Sequence, residues 1–169
     1  HTKRLELIEY FGKKNLIDIY GNNWHKLKNL PIKWMFRLAG ILKKINPKPC
    51  DDKIKTISNY KYAICFENIA YPGYVTEKII DCFVAGVIPI YLGAPDIEKY
   101  IPADCFIDMR KFKTSDELWN YLKNIDEQKA INIINNGRDF LRSKQGQQYN
   151  FYGFAGFIEK LLSEKNYDV

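Results

Sequence analysis

Residues 62–92 read Tyr62-Ala63-Ile64-Cys65-Phe66-Glu67-Asn68-Ile69-Ala70-Tyr71-Pro72-Gly73-Tyr74-Val75-Thr76-Glu77-Lys78-Ile79-Ile80-Asp81-Cys82-Phe83-Val84-Ala85-Gly86-Val87-Ile88-Pro89-Ile90-Tyr91-Leu92. Tyr62 to Phe66 reads as a strand, and Pro72 with Gly73 marks a turn-prone loop. Val75, Ile79, Ile80, Phe83 and Val84 then recur at helical spacing, which predicts a helix beginning near Tyr74 or Val75 and stopped by Gly86. Val87 to Leu92 is a short apolar run of the kind a buried strand carries. The unit is β-loop-α-β.

An open α/β sheet places its ligands between a strand end and a helix start, where unpaired N–H groups and the positive helix end converge. Here that loop carries Glu67, Asn68, Tyr74, Thr76, Glu77 and Lys78. A carboxylate accepts from ribose hydroxyls, a lysine neutralises phosphate, and a ring covers a base or sugar face, so the set suits a nucleoside diphosphate. The same residues also have a plain structural reading: Glu77 favours the positive helix end, Lys78 is solvated, and Tyr74 packs on the sheet.

Five blocks in order sharpen the choice: Phe66-Glu67-Asn68, Tyr74-Val75-Thr76-Glu77-Lys78, the run from Ala85 to Pro95, Tyr100-Ile101-Pro102 and Phe106-Ile107-Asp108. Together they closely resemble the signature of the α-1,3-fucosyltransferases. The resemblance implies a GT-B-type glycosyltransferase with two Rossmann-like domains, this part being the carboxy-terminal, GDP-fucose-binding one. Carried over by position, Glu77 bonds the ribose, Lys78 faces the diphosphate, Tyr74 lines the donor pocket and Asn68 closes its floor, with Glu67 and Thr76 as further pocket candidates. Arg4-Leu5-Glu6-Leu7-Ile8-Glu9-Tyr10-Phe11 is similar to the family's arginine-led helix, which makes Arg4 a second diphosphate ligand. One departure is Leu92, aliphatic where such proteins often carry an aromatic.

The chain has 169 residues, 46% of them hydrophobic, enough for one core, and length argues for a single domain over 1–169. Cys50, Cys65, Cys82 and Cys105 have no metal-ligand spacing, and Cys65 and Cys82 sit in apolar patterns where a buried free thiol is the default. That points to a reducing compartment. No run of eighteen apolar residues occurs and no secretory signal opens the chain. The beginning His1-Thr2-Lys3-Arg4 lacks a methionine and reads as the interior of a longer protein whose amino-terminal acceptor domain is absent here. A cytoplasmic or peripheral-membrane place is the expectation for this piece, and the Golgi lumen for a eukaryotic full-length enzyme of the resembled family.

Lys3 to Phe11 predicts a short helix, and Leu16 to Tyr20 a strand ended by Gly21-Asn22-Asn23. Asp18 could serve as a ribose acid, but no Gly-x-Gly-x-x-Gly loop precedes it. Residues 24–50 form a basic amphipathic insert with seven Lys or Arg and no acid, so the rest of a chain of net charge +6 sums to −1. Trp34, Leu38, Ile41, Leu42 and Ile45 make its helical stripe, ended by Pro47 and Pro49. Two readings stand: the stripe docks on the sheet with the lysines solvated, or the insert lies on an anionic membrane. The aromatics here show no nucleic-acid-binding arrangement, and nucleic acid is not an expected partner.

Lys53 to Ser58 predicts a short helix, Asp96 to Tyr100 one helical turn, and Phe106 to Met109 a fourth strand. Thr114 with Glu117 makes a capping box for a helix burying Leu118, Tyr121, Leu122 and Ile125. Asp126 caps the next helix, through Ile131, Ile134 and Phe140, and a last helix runs from about Tyr149 to Ser163. Strands alternating with helices predict a Rossmann-like α/β domain, a mostly parallel sheet of four or five strands with helices on both faces.

The function expected is that of an inverting glycosyltransferase moving L-fucose from GDP-fucose to a hydroxyl of a glycan acceptor in α-1,3 linkage. Another GDP-sugar donor, or a noncatalytic basic module for membranes or nucleic acids, is the alternative. Arg4 and Lys78 neutralise the departing diphosphate, so neither metal nor cofactor is required. The resemblance puts the general base in the amino-terminal domain, so no catalytic residue is expected in this chain, which binds GDP-sugar weakly and turns over little.

Overall fold

The computed structural model of the protein describes residues 2–21 and 32–149. The expected last helix, beyond Tyr149, and residues 24–31 of the basic insert lie outside them. Two compact units form, one from His1–Thr56 with Arg110–Asn124 and one from Ile57–Met109 with Ile125–Val169.

In the first unit, α1 (Thr2–Lys13) and α2 (Ile32–Ile45) bury Leu5 and Ile8 against Trp34, Leu38 and Leu42, with Ile41 and Ile45 partly buried beside them. The stripe of α2 therefore docks on a helix, not on the sheet. Gly12 permits the approach, because a Cβ there would collide with the side chains of Ile41 and Ile45. Buried Glu9 bonds Lys13 and the Arg37 guanidinium, which also stacks 4.6 Å over the Trp34 ring. α5 (Ser115–Asn124) joins this unit through Trp119, edge-on to Phe11, and through Asp116, which accepts from the Tyr10 hydroxyl.

Residues 16–20 do not form the expected strand. Tyr20 pairs with Lys48 in a single parallel bridge. Gly21 (φ 103) and Asn46 (φ 51) take left-handed backbone that ends any extended run on either side. Asp18 is exposed and lies 3.7 Å from the Lys48 ammonium.

Beyond α3 (Lys53–Ile57), the second unit holds a parallel sheet of β1 (Tyr62–Phe66), β2 (Ile88–Leu92) and β3 (Ile107–Asp108), in that order. The described residues thus give three strands and one bridge, fewer than four or five. Ile64 pairs with Ile90 and Phe66 with Leu92. Ile88 and Ile90 are buried, and so are Pro89 and Tyr91 on the opposite face, so both faces of β2 are covered.

α4 (Glu77–Ala85) crosses from β1 to β2, and α6 (Glu127–Arg142) packs beside it, Phe83 meeting Phe140 edge-on at 6.0 Å. Gly86 ends α4 in left-handed backbone (φ 70), as its position predicts. Val84 is exposed, outside the buried face of Ile79, Cys82 and Phe83. Asp126 caps α6 as expected, accepting from the Gln128 and Lys129 N–H groups. The buried face of α6 is Ala130, Ile133, Gly137 and Phe140, which keeps the expected Phe140 but takes Ala130 and Ile133 in place of the exposed Ile131 and half-buried Ile134. Cys65, Cys82 and Cys105 are buried free thiols. Burial, then the adjacent Asp104 carboxylate, pushes the Cys105 thiol up to about 12, and the side chain packs in the core. Among the described residues no helix is long and apolar enough to cross a membrane.

Candidate functional site

At the carboxyl ends of β1 and β2 the ladder runs one step past the strands: the Glu67 N–H donates to the Leu92 carbonyl at 2.8 Å. Gly93 follows, so tightly packed that a Cβ would overlap the Tyr91 ring and the Glu67 side chain. The Tyr91 hydroxyl, buried beneath, accepts from the Ala94 N–H at 3.0 Å. This corner leaves Glu67 with no exposed side-chain surface.

A buried carboxylate must be partnered, and this one is. It accepts from the Thr76 N–H (2.9 Å), from the Thr76 hydroxyl and from the Lys78 ammonium (2.8 Å). The ammonium also donates to Thr76 Oγ1 at 3.0 Å. Thr76 is the N-cap of α4, in extended backbone, its Oγ1 accepting a long contact from the Lys78 N–H. The helix therefore begins at Glu77 and not at Tyr74 or Val75, because Glu67 and Thr76 tie the chain in extended form just before it.

Between Glu67 and Thr76 the loop turns at Gly73 (φ 74), whose N–H donates to Asp96 Oδ1 at 2.8 Å. A Cβ at Gly73 would sit 3.1 Å from the Tyr100 hydroxyl, so sterics and dihedral both favour glycine. Ile69, Tyr71 and Tyr74 on this loop are exposed, an apolar rim beside the helix start.

Of the residues singled out from sequence, Asn68, Tyr74 and Glu77 are exposed, Lys78 and Thr76 are half-buried, and Glu67 is buried, all on this one strand-loop-helix segment. Arg4 is half-buried on α1 of the first unit. From sequence Asp96 is only the start of a helical turn. Its role in shaping the loop depends on a partner 23 positions away, and nothing local signals it. No group of three or more His, Cys, Asp or Glu suited to a metal occurs among the described residues.

The arrangement offers a cation at the first turn of a helix, an acid beside it and a ring at the rim, which suits a phosphorylated, hydroxyl-rich ligand. The family described as glycosyltransferase family 10 (fucosyltransferase), C-term, matches residues 1–133. The chain belongs to that family.

Two relatives illustrate the likeness. The alpha-(1,3)-fucosyltransferase FucT of Helicobacter pylori is 36% identical over 112 residues, 66% of this chain and 23% of that protein. The 4-galactosyl-N-acetylglucosaminide 3-alpha-L-fucosyltransferase 9 of Mus musculus is 41% identical over 80 residues, 46% of this chain and 22% of that protein. The family 10 chain thus spans under a quarter of the length of these curated relatives. Among solved structures, an alpha1,3-fucosyltransferase with GDP-fucose matches with a TM-score of 0.56 at 23% identity, over 99% of this chain and 54% of that one. An alpha1,3-fucosyltransferase with GDP matches with a TM-score of 0.51 at 25% identity, over 78% of this chain and 44% of that one. They share the α/β, Rossmann-like fold expected from the sequence.

Proposed function

We propose that the second unit binds the GDP moiety of GDP-fucose, and that the protein transfers L-fucose with inversion to a glycan hydroxyl, in α-1,3 linkage. The observation that carries this reading is the Lys78 ammonium, held by Glu67 and Thr76 at the first turn of α4. Membership of family 10 and the GDP and GDP-fucose complexes of the fold's neighbours support it.

Breaking the sugar–phosphate bond leaves negative charge on the diphosphate, and a preorganised cation at a helix start stabilises that charge as it develops. Lys78 supplies it in this reading. Glu77 accepts from ribose hydroxyls, Tyr74 covers a face of the donor, and Asn68 closes the floor. Arg4 belongs to the first unit, and the phosphate role that the family resemblance implies for it is tested by itself, by the same titration on Arg4→Ala. No residue of this chain is assigned to the activation of the acceptor hydroxyl.

Calorimetric titration with GDP-fucose, GDP and GDP-mannose, on the wild type and on Lys78→Ala, tests the reading. The expected result is binding of GDP compounds that Lys78→Ala weakens by about 2–5 kcal/mol. A folded wild-type chain that ignores all three ligands overturns it. Preference for GDP-mannose would keep the nucleotide site and change the donor.

A second reading concerns α2, whose outward side exposes Ile32 and Phe36 among Lys33, Lys43 and Lys44. We propose that this side lies on anionic lipid, apolar groups inserted and lysines at the headgroups. Cosedimentation with phosphatidylserine vesicles that Phe36→Glu abolishes is the expected result. Equal sedimentation of both proteins would sink it.

A further inference from the structure

We infer that Glu67 is a positioning residue for the Lys78 ammonium and not itself a ligand for the donor, an inference that rests on the nucleotide site proposed above. An ionised carboxylate only accepts hydrogen bonds, and a diphosphate only accepts too, so a carboxylate facing the phosphates would repel them. Glu67 is turned away from that role. Its side chain has no exposed surface, and its oxygens are occupied by the Thr76 N–H, the Thr76 hydroxyl and the Lys78 ammonium.

Lys78 has the complementary arrangement. An ammonium has three donors on a flexible stem and is by itself a poorly directed charge. Here one N–H goes to Glu67 Oε2 and one to Thr76 Oγ1, which leaves the third without a partner among the described residues. The Lys78 side chain keeps a quarter of its surface exposed while its carboxylate partner keeps none. Two bonds from below therefore fix the direction of the third, and a phosphate oxygen can take it without the lysine having to be ordered at the moment of binding. The same carboxylate anchors the Thr76 N–H, so one group sets both the start of α4 and the place of its cation.

The discriminating experiment is a double-mutant cycle read with two probes, GDP and guanosine. Glu67→Gln keeps the side-chain shape and an acceptor for Thr76 but loses the charge that holds Lys78. If Glu67 acts through Lys78, Glu67→Gln weakens GDP about tenfold, leaves guanosine unchanged, and has no further effect in a Lys78→Ala background. A purely structural Glu67 would weaken guanosine and GDP alike, or add its full loss to that of Lys78→Ala, and either result overturns the inference. Should Glu67→Gln melt below the assay temperature, Glu67→Asp gives the same test, since it keeps the charge but draws the carboxylate back by one methylene. GDP binding that is lost in Lys78→Ala but intact in the folded Glu67 variants sinks this inference alone. A wild type that binds no GDP sinks the nucleotide site and the inference together.

Discussion

Gly137 of α6 lies directly against the Phe83 ring of α4: a Cβ at Gly137 would come within 2.6 Å of Cδ1 and 3.1 Å of two further ring carbons. Glycine inside a helix is ordinarily about 1 kcal/mol worse than alanine. Phe83 is buried and edge-on to Phe140, so its ring has little room to yield. Gly137→Ala should therefore lower stability by about 1–2 kcal/mol despite the better propensity, because overpacking outweighs it. Thermal melting that rises in the variant would show that the ring moves freely.

The N-cap of α4 joins stability to the site. Thr76→Val removes the hydroxyl shared by Glu67 and Lys78 at nearly constant volume. A lost cap and a weakened buried network should cost about 1–3 kcal/mol in denaturant unfolding, and Thr76→Ser should recover most of it. Failure of Thr76→Ser to recover stability would mean that the methyl group, not the hydroxyl, matters at this position.

Glu9 gives the first unit an acid-side dependence. Burial alone raises its carboxyl, but hydrogen bonds and charge from Lys13 and Arg37 outweigh that and hold it below its ordinary value of 4.5. A depressed folded-state pKa contributes stability that is fully present above the unfolded value and is lost as pH falls through the folded one. The melting temperature of the wild type should thus fall below about pH 4.5, and Glu9→Gln should flatten that fall. Parallel profiles for the two proteins would remove Glu9 from the account.

Binding of GDP compounds should be unaffected by EDTA. The charge that a divalent ion would neutralise is met by Lys78 in the proposed reading. A titration in which EDTA abolishes binding and Mg²⁺ restores it would overturn this point.

Much of the fold is legible in the sequence because its signals are local. Gly86 stops α4 in left-handed backbone, Asp126 caps α6, and the Glu117 N–H bonds Thr114 Oγ1 at 3.1 Å, each set by residues within a turn of one another. The blocks from Phe66 to Asp108 likewise placed the candidate site on one strand-loop-helix segment. What only the tertiary structure decided depends on residues far apart in the chain. The bonds that Glu67 makes to Thr76 and Lys78 are not legible from its position alone, Asp96 reads as a helix start until it meets Gly73, and the partner of the α2 stripe is open until Gly12 admits it to α1. Periodicity and capping are properties of a dozen neighbouring residues. Burial of a charge, and the partner that satisfies it, are properties of the packed chain.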